Sequence, residues 1–327
     1  MTRARIAGTG FYAPKRVLTN ADLEKMVATN DAWIVQRSGI RERRIAEEGE
    51  ATSDLAVKAA QQALERANLV PEDVDLIVVG TTTPDMFFPT VGNLVQHRLG
   101  CRRAGSVDML AACAGSIYSL ATGAQFIETG KYRRVLCIGA ETLSRITDWT
   151  DRGTCVLLAD AAGAAVLEAS DDDGRGILDV DLYSDGQYWD LLYMPGGGSR
   201  HPATRETVDA RMHYAKMKGN EVFKVAVRMF VECTERILGR NGFTADDVSL
   251  FIPHQANLRI IEAACKRVHL PMDRVFVNVD RYGNTGAASV YVALAEAVEA
   301  GRVRRGDLVL MAAFGGGFAW GAALIRW

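Results

Sequence analysis

Residues 71–80 read PEDVDLIVVG, and residues 245–254 read ADDVSLFIPH. Each stretch follows a charged amphipathic segment, starts with acidic residues and then becomes apolar. This pattern predicts a helix, a short acidic turn and a buried strand. The two stretches start 174 residues apart, about half the length of the chain, which indicates that one structural unit occurs twice.

A second pair of similar segments has nearly the same separation. Residues 116–120 (SIYSL) lead to Gly130 and then to an apolar run, as residues 289–294 (SVYVAL) lead to Gly301 and another such run. We therefore predict two similar halves, residues 1–170 and 171–327, that join at the acidic turn 170–174. Chance resemblance between common helix and strand patterns is the alternative.

Strands and helices alternate within each predicted half. This order predicts a layered α/β architecture, in which helices cover mixed or parallel sheets. In such folds the functional groups gather at the carboxyl ends of the strands.

The composition excludes several classes of function. The 327 residues are 48% hydrophobic and 24% charged, with a formal net charge of -2, so no general basic field favours nucleic acid as a partner. No apolar run reaches the roughly 18 residues of a membrane span, and the first residues do not resemble a signal peptide. We expect a soluble cytoplasmic protein that binds neither nucleic acid nor membrane.

The six cysteines are scattered along the chain. They show neither a CxxC pair nor the Cys/His spacing of a zinc site, so the sequence predicts no disulfide framework and no metal. Most should be buried thiols, and one or two could be reactive.

Cys113 is the strongest candidate nucleophile. It follows a predicted strand, and the apolar periodicity of the next residues predicts a helix that starts just after it. A thiol at a helix N-terminus is expected to have a lowered pKa, because the free N–H groups and the helix dipole favour the thiolate. The alternative is a buried cysteine that acts only as a small apolar residue.

Three other segments contain candidate site residues. His254 ends a predicted apolar strand, where an imidazole is suited to acid–base or hydrogen-bonding work, unless it is a satisfied core histidine. Asn284 occupies the position in the repeat that corresponds to Cys113, although Asn-x-Gly is also an ordinary turn sequence. The glycines at 315–317 could direct N–H groups at an oxyanion, or could form only a tight turn.

The amino-terminal GTGFYA (residues 8–13) imitates part of a dinucleotide-binding fingerprint. Pro14 follows directly, so no helix can start where that motif requires one. We therefore reject a nicotinamide site there.

Taken together, several segments resemble ketoacyl-acyl-carrier-protein synthase III of the thiolase-fold superfamily almost from end to end. The segments that carry the resemblance are Asp31–Ile34, Arg37–Arg44, Ala112–Gly115, Asp151–Thr154, Gly219–Lys224, Pro253–Asn257, Gly283–Thr285 and Phe314–Gly321. The resemblance implies a duplicated thiolase-like fold, layered α-β-α-β-α, with two pseudo-symmetric halves. The first half would carry the cysteine, and the second the histidine and the asparagine.

The resemblance also implies a mechanism. Cys113 would attack an acyl-CoA primer, acetyl-CoA by default, with its own N–H and that of Gly316 as the oxyanion hole. His254 and Asn284 would then hold the thioester carbonyl of malonyl acyl carrier protein during decarboxylation, without a metal or other cofactor. The product is a 3-ketoacyl carrier protein that initiates fatty acid biosynthesis.

The same resemblance assigns the binding residues. Trp33, Arg37, Arg152 and Thr29 would contact the adenine and phosphate end of CoA, and Asn220, Phe223, Ala256 and Asn257 would line the pantetheine tunnel. Lys224 and Arg259 would contact the carrier protein, unless they are only solvated surface charges. Phe88 would reach across the interface of a homodimer to the partner's acyl pocket.

The sequence departs from the family pattern at several positions. Ser116 replaces an aromatic residue, Leu110 replaces a smaller one, alanines replace glycines in residues 159–163, and residues 28–32 differ before Trp33. The primer could therefore differ from acetyl.

Other functions remain as alternatives. The closest is a starter-loading ketosynthase III of secondary metabolism with another primer. A degradative thiolase needs a second catalytic cysteine, and a hydroxymethylglutaryl synthase uses a glutamate base. A non-catalytic partner subunit usually lacks the nucleophile, and a thioesterase would leave Asn284 without a task.

Overall fold

The computed structural model describes residues 2–170 and 174–327. Its strands are β1 Arg3–Tyr12, β2 Arg16–Thr19, β3 Glu42–Ile45, β4 Leu76–Gly80, β5 Gly105–Met109, β6 Arg134–Thr142, β7 Asp160–Ser170, β8 Gly176–Ser184, β9 Leu192–Tyr193, β10 Lys216–Met217, β11 Leu250–Pro253, β12 Leu308–Gly315 and β13 Ala319–Arg326. Its α-helices are α1 Asn20–Leu23, α2 Asp31–Ser38, α3 Thr52–Arg66, α4 Val91–Leu99, α5 Gly115–Glu128, α6 Arg152–Cys155, α7 Arg205–Asp209, α8 Gly219–Arg240, α9 Leu258–Arg267, α10 Val279–Tyr282 and α11 Ser289–Glu299.

Two large mixed sheets form the frame of the molecule. The first has the order β1-β7-β6-β4-β5, and the second has the order β11-β12-β13-β8. In the first sheet β4 is parallel to β5 and β6, and in the second β11 is parallel to β12, while the remaining pairs are antiparallel. The mixed sheets predicted from the sequence are thus confirmed.

Helices cover the sheets in layers. Helix α3 packs on the outer face of the first sheet, and α8 and α9 pack on the outer face of the second. Helices α5 and α11 lie between the two sheets, within an apolar core to which both sheets contribute. The result is the layered α-β-α-β-α arrangement that the family resemblance implies.

The duplicated segments occupy equivalent places in the two sheets. A 3₁₀ turn at Pro71–Asp73 precedes β4, and one at Ala245–Asp247 precedes β11. A 3₁₀ turn also precedes each central helix, at Ala112–Ala114 for α5 and Gly286–Ala288 for α11. The division into halves at residue 170 stays a prediction, because residues 171–173 of the acidic turn lie outside the described residues.

Glycines allow the helices to approach the sheets closely. A Cβ atom on Gly8 or Gly10 in β1 would lie 2.3 Å from a carbonyl oxygen of α3. These glycines belong to a packed strand, so the imitation of a phosphate-binding loop has a structural explanation. On the other face, a Cβ on Gly139 in β6 would lie 2.1 Å from the carbonyl oxygen of Ala287.

No helix in the described residues is long and apolar enough to cross a membrane. Strand β12 includes the first of the three glycines at 315–317, since it reaches Gly315 before the chain turns into β13.

The contact between Gly139 and Ala287 yields a stability prediction. We expect Gly139→Ala to lower the free energy of unfolding by about 1–3 kcal/mol, because an added methyl group meets backbone that cannot move easily. The matched control is Gly239→Ala in α8, where a Cβ meets no atom within 4 Å. The measurement is urea unfolding of both variants. Equal unfolding midpoints would show that the close approach at Gly139 does not limit stability.

Candidate active site

Cys113 lies in a sharp turn between a strand and a helix. Strand β5 ends at Met109, the 3₁₀ turn Ala112–Ala114 follows, and α5 begins at Gly115. Ala112 has a φ of 46°, a left-handed conformation that is unfavourable for a residue with a Cβ. This turn holds the partly buried thiol of Cys113 at the start of a central helix.

The prediction of a lowered thiol pKa is wrong for the free protein. Burial raises the pKa of Cys113 to about 12, and the nearby carboxylate of Glu141 adds to the rise. The backbone N–H of Cys113 acts in the opposite direction but is the smaller effect. The desolvation of a thiolate therefore outweighs the helix N-terminus, and the thiol is neutral before substrate binds.

His254 directly follows β11 and is 1% exposed. Its Nδ1 lies 2.6 Å from Oγ of Ser289, the first residue of α11. The same Oγ accepts a hydrogen bond from the N–H of Gln255 at 3.3 Å. Among the described residues the Ser289 hydroxyl has no other hydrogen-bond acceptor, so it donates to Nδ1, and the ring proton is left on Nε2.

The environment of His254 keeps the imidazole neutral. Burial lowers the pKa of His254 to about 3, because a charged ring is poorly solvated there. The ring of Phe314 packs edge-on against it at 5.3 Å between centroids. The imidazole is thus available as a hydrogen-bond donor at physiological pH.

Asn284 is fixed by backbone and side-chain hydrogen bonds. Its N–H donates to the Leu157 carbonyl, and its own carbonyl accepts from the Ala159 N–H, both at 2.9 Å. Its side-chain Oδ1 accepts from the N–H of Gly286 at 3.0 Å. Because the oxygen is held this way, the amide NH₂ is left to donate to a ligand.

Two cavities meet at these residues. The first, which we call the entry tunnel, has a volume of about 710 Å³ and is lined by all three of Cys113, His254 and Asn284. The second, which we call the inner cavity, has a volume of about 450 Å³ and is lined by Cys113 and Asn284 but not His254. The thiol is therefore accessible from both spaces.

The entry tunnel contains most of the predicted CoA and carrier-protein residues. Among those that line it are Trp33, Arg37, Asn220, Phe223, Lys224, Ala256, Asn257 and Arg259.

Two predicted CoA residues, Arg152 and Thr29, do not line the tunnel. The guanidinium of Arg152 lies 4.6 Å from the centre of the Trp33 ring, and that of Arg37 lies 5.9 Å from it. Thr29 is connected to this group through its neighbour in the chain, because Arg152 donates a hydrogen bond to the carbonyl of Ala28 at 2.9 Å. The buried hydroxyl of Thr29 has no hydrogen-bond partner.

The glycine segment that begins with the last residue of β12 packs against the backbone of Cys113. A Cβ on Gly315 would lie 2.5 Å from the backbone nitrogen of Cys113, so only glycine allows this approach. Gly316, the predicted second oxyanion donor, lines the inner cavity.

Phe88 lines neither cavity and is 85% exposed. Of the two positions near Cys113 that depart from the family pattern, Leu110 lines the inner cavity. Ser116 is buried beneath the turn, and its hydroxyl has no partner.

Sequence reasoning missed Ser289 and Glu141. The carboxylate of Glu141 accepts from the Thr82 N–H at 3.1 Å and from the Thr83 hydroxyl at 2.6 Å. Burial raises the pKa of Glu141 to about 7, although these bonds and the Ala287 N–H oppose the rise. The sequence signal for Glu141 was a carboxylate at the end of the buried strand β6, because a buried carboxylate needs several hydrogen-bond partners.

Among the described residues, no group of three or more His, Cys, Asp or Glu side chains is placed to hold a metal ion.

Comparisons with known proteins agree with this geometry. A family model described as 3-Oxoacyl-[acyl-carrier-protein (ACP)] synthase III matches residues 107–186, and the model of its C-terminal part matches residues 238–327. A crystal structure of 3-oxoacyl-[acyl-carrier-protein] synthase III from Aquifex aeolicus VF5 is 47% identical in sequence. It aligns with 99% of this chain and 100% of its own, with a TM-score of 0.92.

Curated relatives match over their whole length as well. A Beta-ketoacyl-[acyl-carrier-protein] synthase III from Caldanaerobacter subterraneus subsp. tengcongensis is 53% identical over 99% of this chain and 98% of its own. Another from Desulfitobacterium hafniense is 53% identical over 100% of this chain and 98% of its own. The chain therefore belongs to the 3-oxoacyl-[acyl-carrier-protein] synthase III family and has its thiolase fold.

Proposed function

We propose that this β-ketoacyl-[acyl-carrier-protein] synthase III condenses an acyl-CoA primer with malonyl acyl carrier protein, and that Cys113, His254 and Asn284 carry the reaction. The observation that supports this most directly is the meeting of the three side chains where the entry tunnel reaches the inner cavity. A thioester can enter through one space while its acyl group occupies the other. The starter-loading ketosynthase of secondary metabolism is not favoured, because the curated relatives at 53% identity are named synthase III.

In the first half-reaction, the sulfur of Cys113 attacks the acyl-CoA carbonyl carbon. The carbonyl oxygen becomes an oxyanion, which the N–H groups of Cys113 and Gly316 stabilise. The bond to the CoA sulfur then breaks, and the CoA thiolate gains the proton that the Cys113 thiol loses. Because burial raises the pKa of this thiol to about 12, the proton leaves only when a bound thioester offers the sulfur a new bond.

In the second half-reaction, Nε2–H of His254 and the amide NH₂ of Asn284 donate to the thioester carbonyl of malonyl carrier protein. Loss of carbon dioxide leaves an enolate, whose negative oxygen these two donors stabilise. The enolate carbon attacks the acyl-Cys113 carbonyl, and the cysteine sulfur leaves as a thiolate that takes a proton from solvent. A neutral histidine suits this step, because its proton is donated in a hydrogen bond and is not transferred.

The mouth of the entry tunnel suits anionic substrates. Arg37 and Arg152 flank the Trp33 ring, so an adenine can stack while the guanidinium groups meet phosphate. Thr29 would line this mouth. Lys224 and Arg259 are exposed beside it and would contact an acidic carrier protein.

A homodimer accounts for the exposed face beside the inner cavity. Strand β5 is an edge strand of the first sheet, with Val107 40% exposed on it and Leu110 82% exposed just after it. Phe87 and Phe88 are 80% and 85% exposed. An apolar face at an unpaired edge favours pairing with a second copy, which would bring Phe88 to the partner's inner cavity.

The free cysteines favour a cytoplasmic location. All six cysteines are free in the structure, as is usual for proteins of a reducing compartment.

The nucleophile can be tested by intact-protein mass spectrometry after incubation with acyl-CoA. We expect an acyl mass on the wild type and on Cys233→Ala, a control at a buried cysteine of the second sheet's core. The mass should be absent from Cys113→Ala, since no other cysteine lines either cavity in the described part of the chain. An acyl group on Cys113→Ala would refute the assignment.

Ser289 is expected to act as a positioning residue for His254. In Ser289→Ala the ring can place its proton on Nδ1, and Nε2 then has no proton to donate. Decarboxylation of malonyl carrier protein should fall about 10- to 100-fold, less than the roughly 10²- to 10³-fold cost of losing one oxyanion donor in His254→Ala.

Acylation of Cys113 should persist in Ser289→Ala, because His254 acts in the second half-reaction. The control is Ser119→Ala, which removes another buried, hydrogen-bonded hydroxyl from a central helix. Equal losses in acylation and decarboxylation would point to a purely structural role for Ser289.

The dimer interface can be tested at the edge strand. Val107→Asp should raise the dissociation constant of the dimer about tenfold or more, because a carboxylate would be desolvated at the interface without a partner. Val208→Asp, at an exposed valine of α7, is the control. Sedimentation analysis over a range of protein concentrations measures both, and an unchanged Val107→Asp dimer would place the interface elsewhere.

A further inference from the structure

The inner cavity lies beyond the nucleophile as seen from the tunnel mouth. Cys113 and Asn284 line both spaces, but the mouth residues Trp33, Arg37 and Arg259 line only the entry tunnel. If Cys113 carries an acyl group, as proposed above, the chain of that group extends into the inner cavity.

The walls of this cavity suit an apolar chain. Leu143, Ile146, Leu158 and Met194 are among its lining residues, and no charged side chain of the described residues lines it. Its threonine hydroxyls are already used, since Thr82 donates to Glu141 at 3.0 Å and Thr154 to Asp151 at 2.8 Å. A primer with a carboxylate end would be desolvated there without meeting a positive charge.

The cavity is large for an acetyl group. In one subunit its volume is about 450 Å³, within the roughly 300–1,000 Å³ of pockets that hold drug-sized ligands. The Phe88 side chain that the proposed dimer brings from the partner subunit would take up only part of this volume. A two-carbon group would leave most of these apolar walls without contacts. Each methylene group buried there would improve binding about fourfold.

The far wall is held in place by specific contacts. Ala215 is 6% exposed, and its N–H donates to the Ile146 carbonyl at 2.8 Å. The nearby Arg211 donates through Nε to the carboxylate of Asp148 at 3.0 Å. The small side chain of Ala215 therefore leaves space that is already formed before a primer binds.

The side of the cavity that Leu110 lines limits the length of the acyl chain. Leu110 is 82% exposed, and the proposed dimer covers the face on which it lies. From the volume, the apolar walls and this limit, we infer that the preferred primer is a medium-chain apolar acyl-CoA, and not acetyl-CoA. This inference rests on the proposed condensing function.

The test is the rate constant kcat/KM for acylation of Cys113 by acetyl-, hexanoyl-, succinyl- and palmitoyl-CoA, followed by intact-protein mass spectrometry. Hexanoyl-CoA should exceed acetyl-CoA by at least about tenfold, as four further buried methylene groups would allow. It should also exceed both succinyl- and palmitoyl-CoA. A preference for any of the other three would overturn the inference while leaving the condensing function intact. If no acyl-CoA labels Cys113, the proposed function itself fails.

A variant tests whether the chain occupies the inner cavity. Ala215→Phe fills the far wall and should lower the hexanoyl-to-acetyl ratio at least about tenfold. Val208→Phe, which adds the same ring at an exposed position outside the cavity, should leave the ratio unchanged. An unchanged ratio in a folded Ala215→Phe protein would overturn the inference, and the wild-type comparison decides the matter if that variant does not fold.

Discussion

The close approach of the two central helices to the sheets determines the rest of the structure. A Cβ on Gly80 would lie 2.5 Å from the backbone at the start of α5, and one on Gly139 would lie 2.1 Å from Ala287 just before α11. Both helix starts are therefore fixed against the first sheet by backbone contact. Cys113 lies in the 3₁₀ turn before α5, and Asn284 lies just before the corresponding turn that leads into α11. The same packing that joins the sheets therefore brings the two residues to one cleft.

Burial in this cleft has two chemical consequences. It raises the pKa of the Cys113 thiol to about 12 and lowers the pKa of His254 to about 3. Both groups are neutral before substrate binds, so no ion pair stores an activated thiolate. The site depends instead on fixed hydrogen-bond donors, whose orientation is set by neighbours such as Ser289. Such donors stabilise an oxyanion or enolate without reorganising during the reaction.

The sequence predicted the repeated frame, and it identified three side chains that the structure brings to one cavity. Apolar strands and glycine-terminated helices recur at a constant separation, and this signal depends only on local pattern. The partners of buried groups could not be predicted, because Ser289 is 35 residues from His254 and meets it only through the packing of α11. The thiol pKa was predicted with the wrong sign, since the helix start is visible in the sequence but the loss of solvent is not.

The two segments outside the repeat explain how one frame can combine two recognition tasks. Strands β1 and β8 hold equivalent places in the two sheets, and α3 and α8 are the outer helices that follow them. Residues 13–51, between β1 and α3, contain Trp33 and Arg37 of the tunnel mouth. Residues 185–218, between β8 and α8, contain Trp189, Met194 and Ala215 of the inner cavity. In the proposed enzyme the first segment binds CoA and the second selects the acyl chain, so the primer can change without any change to the catalytic frame.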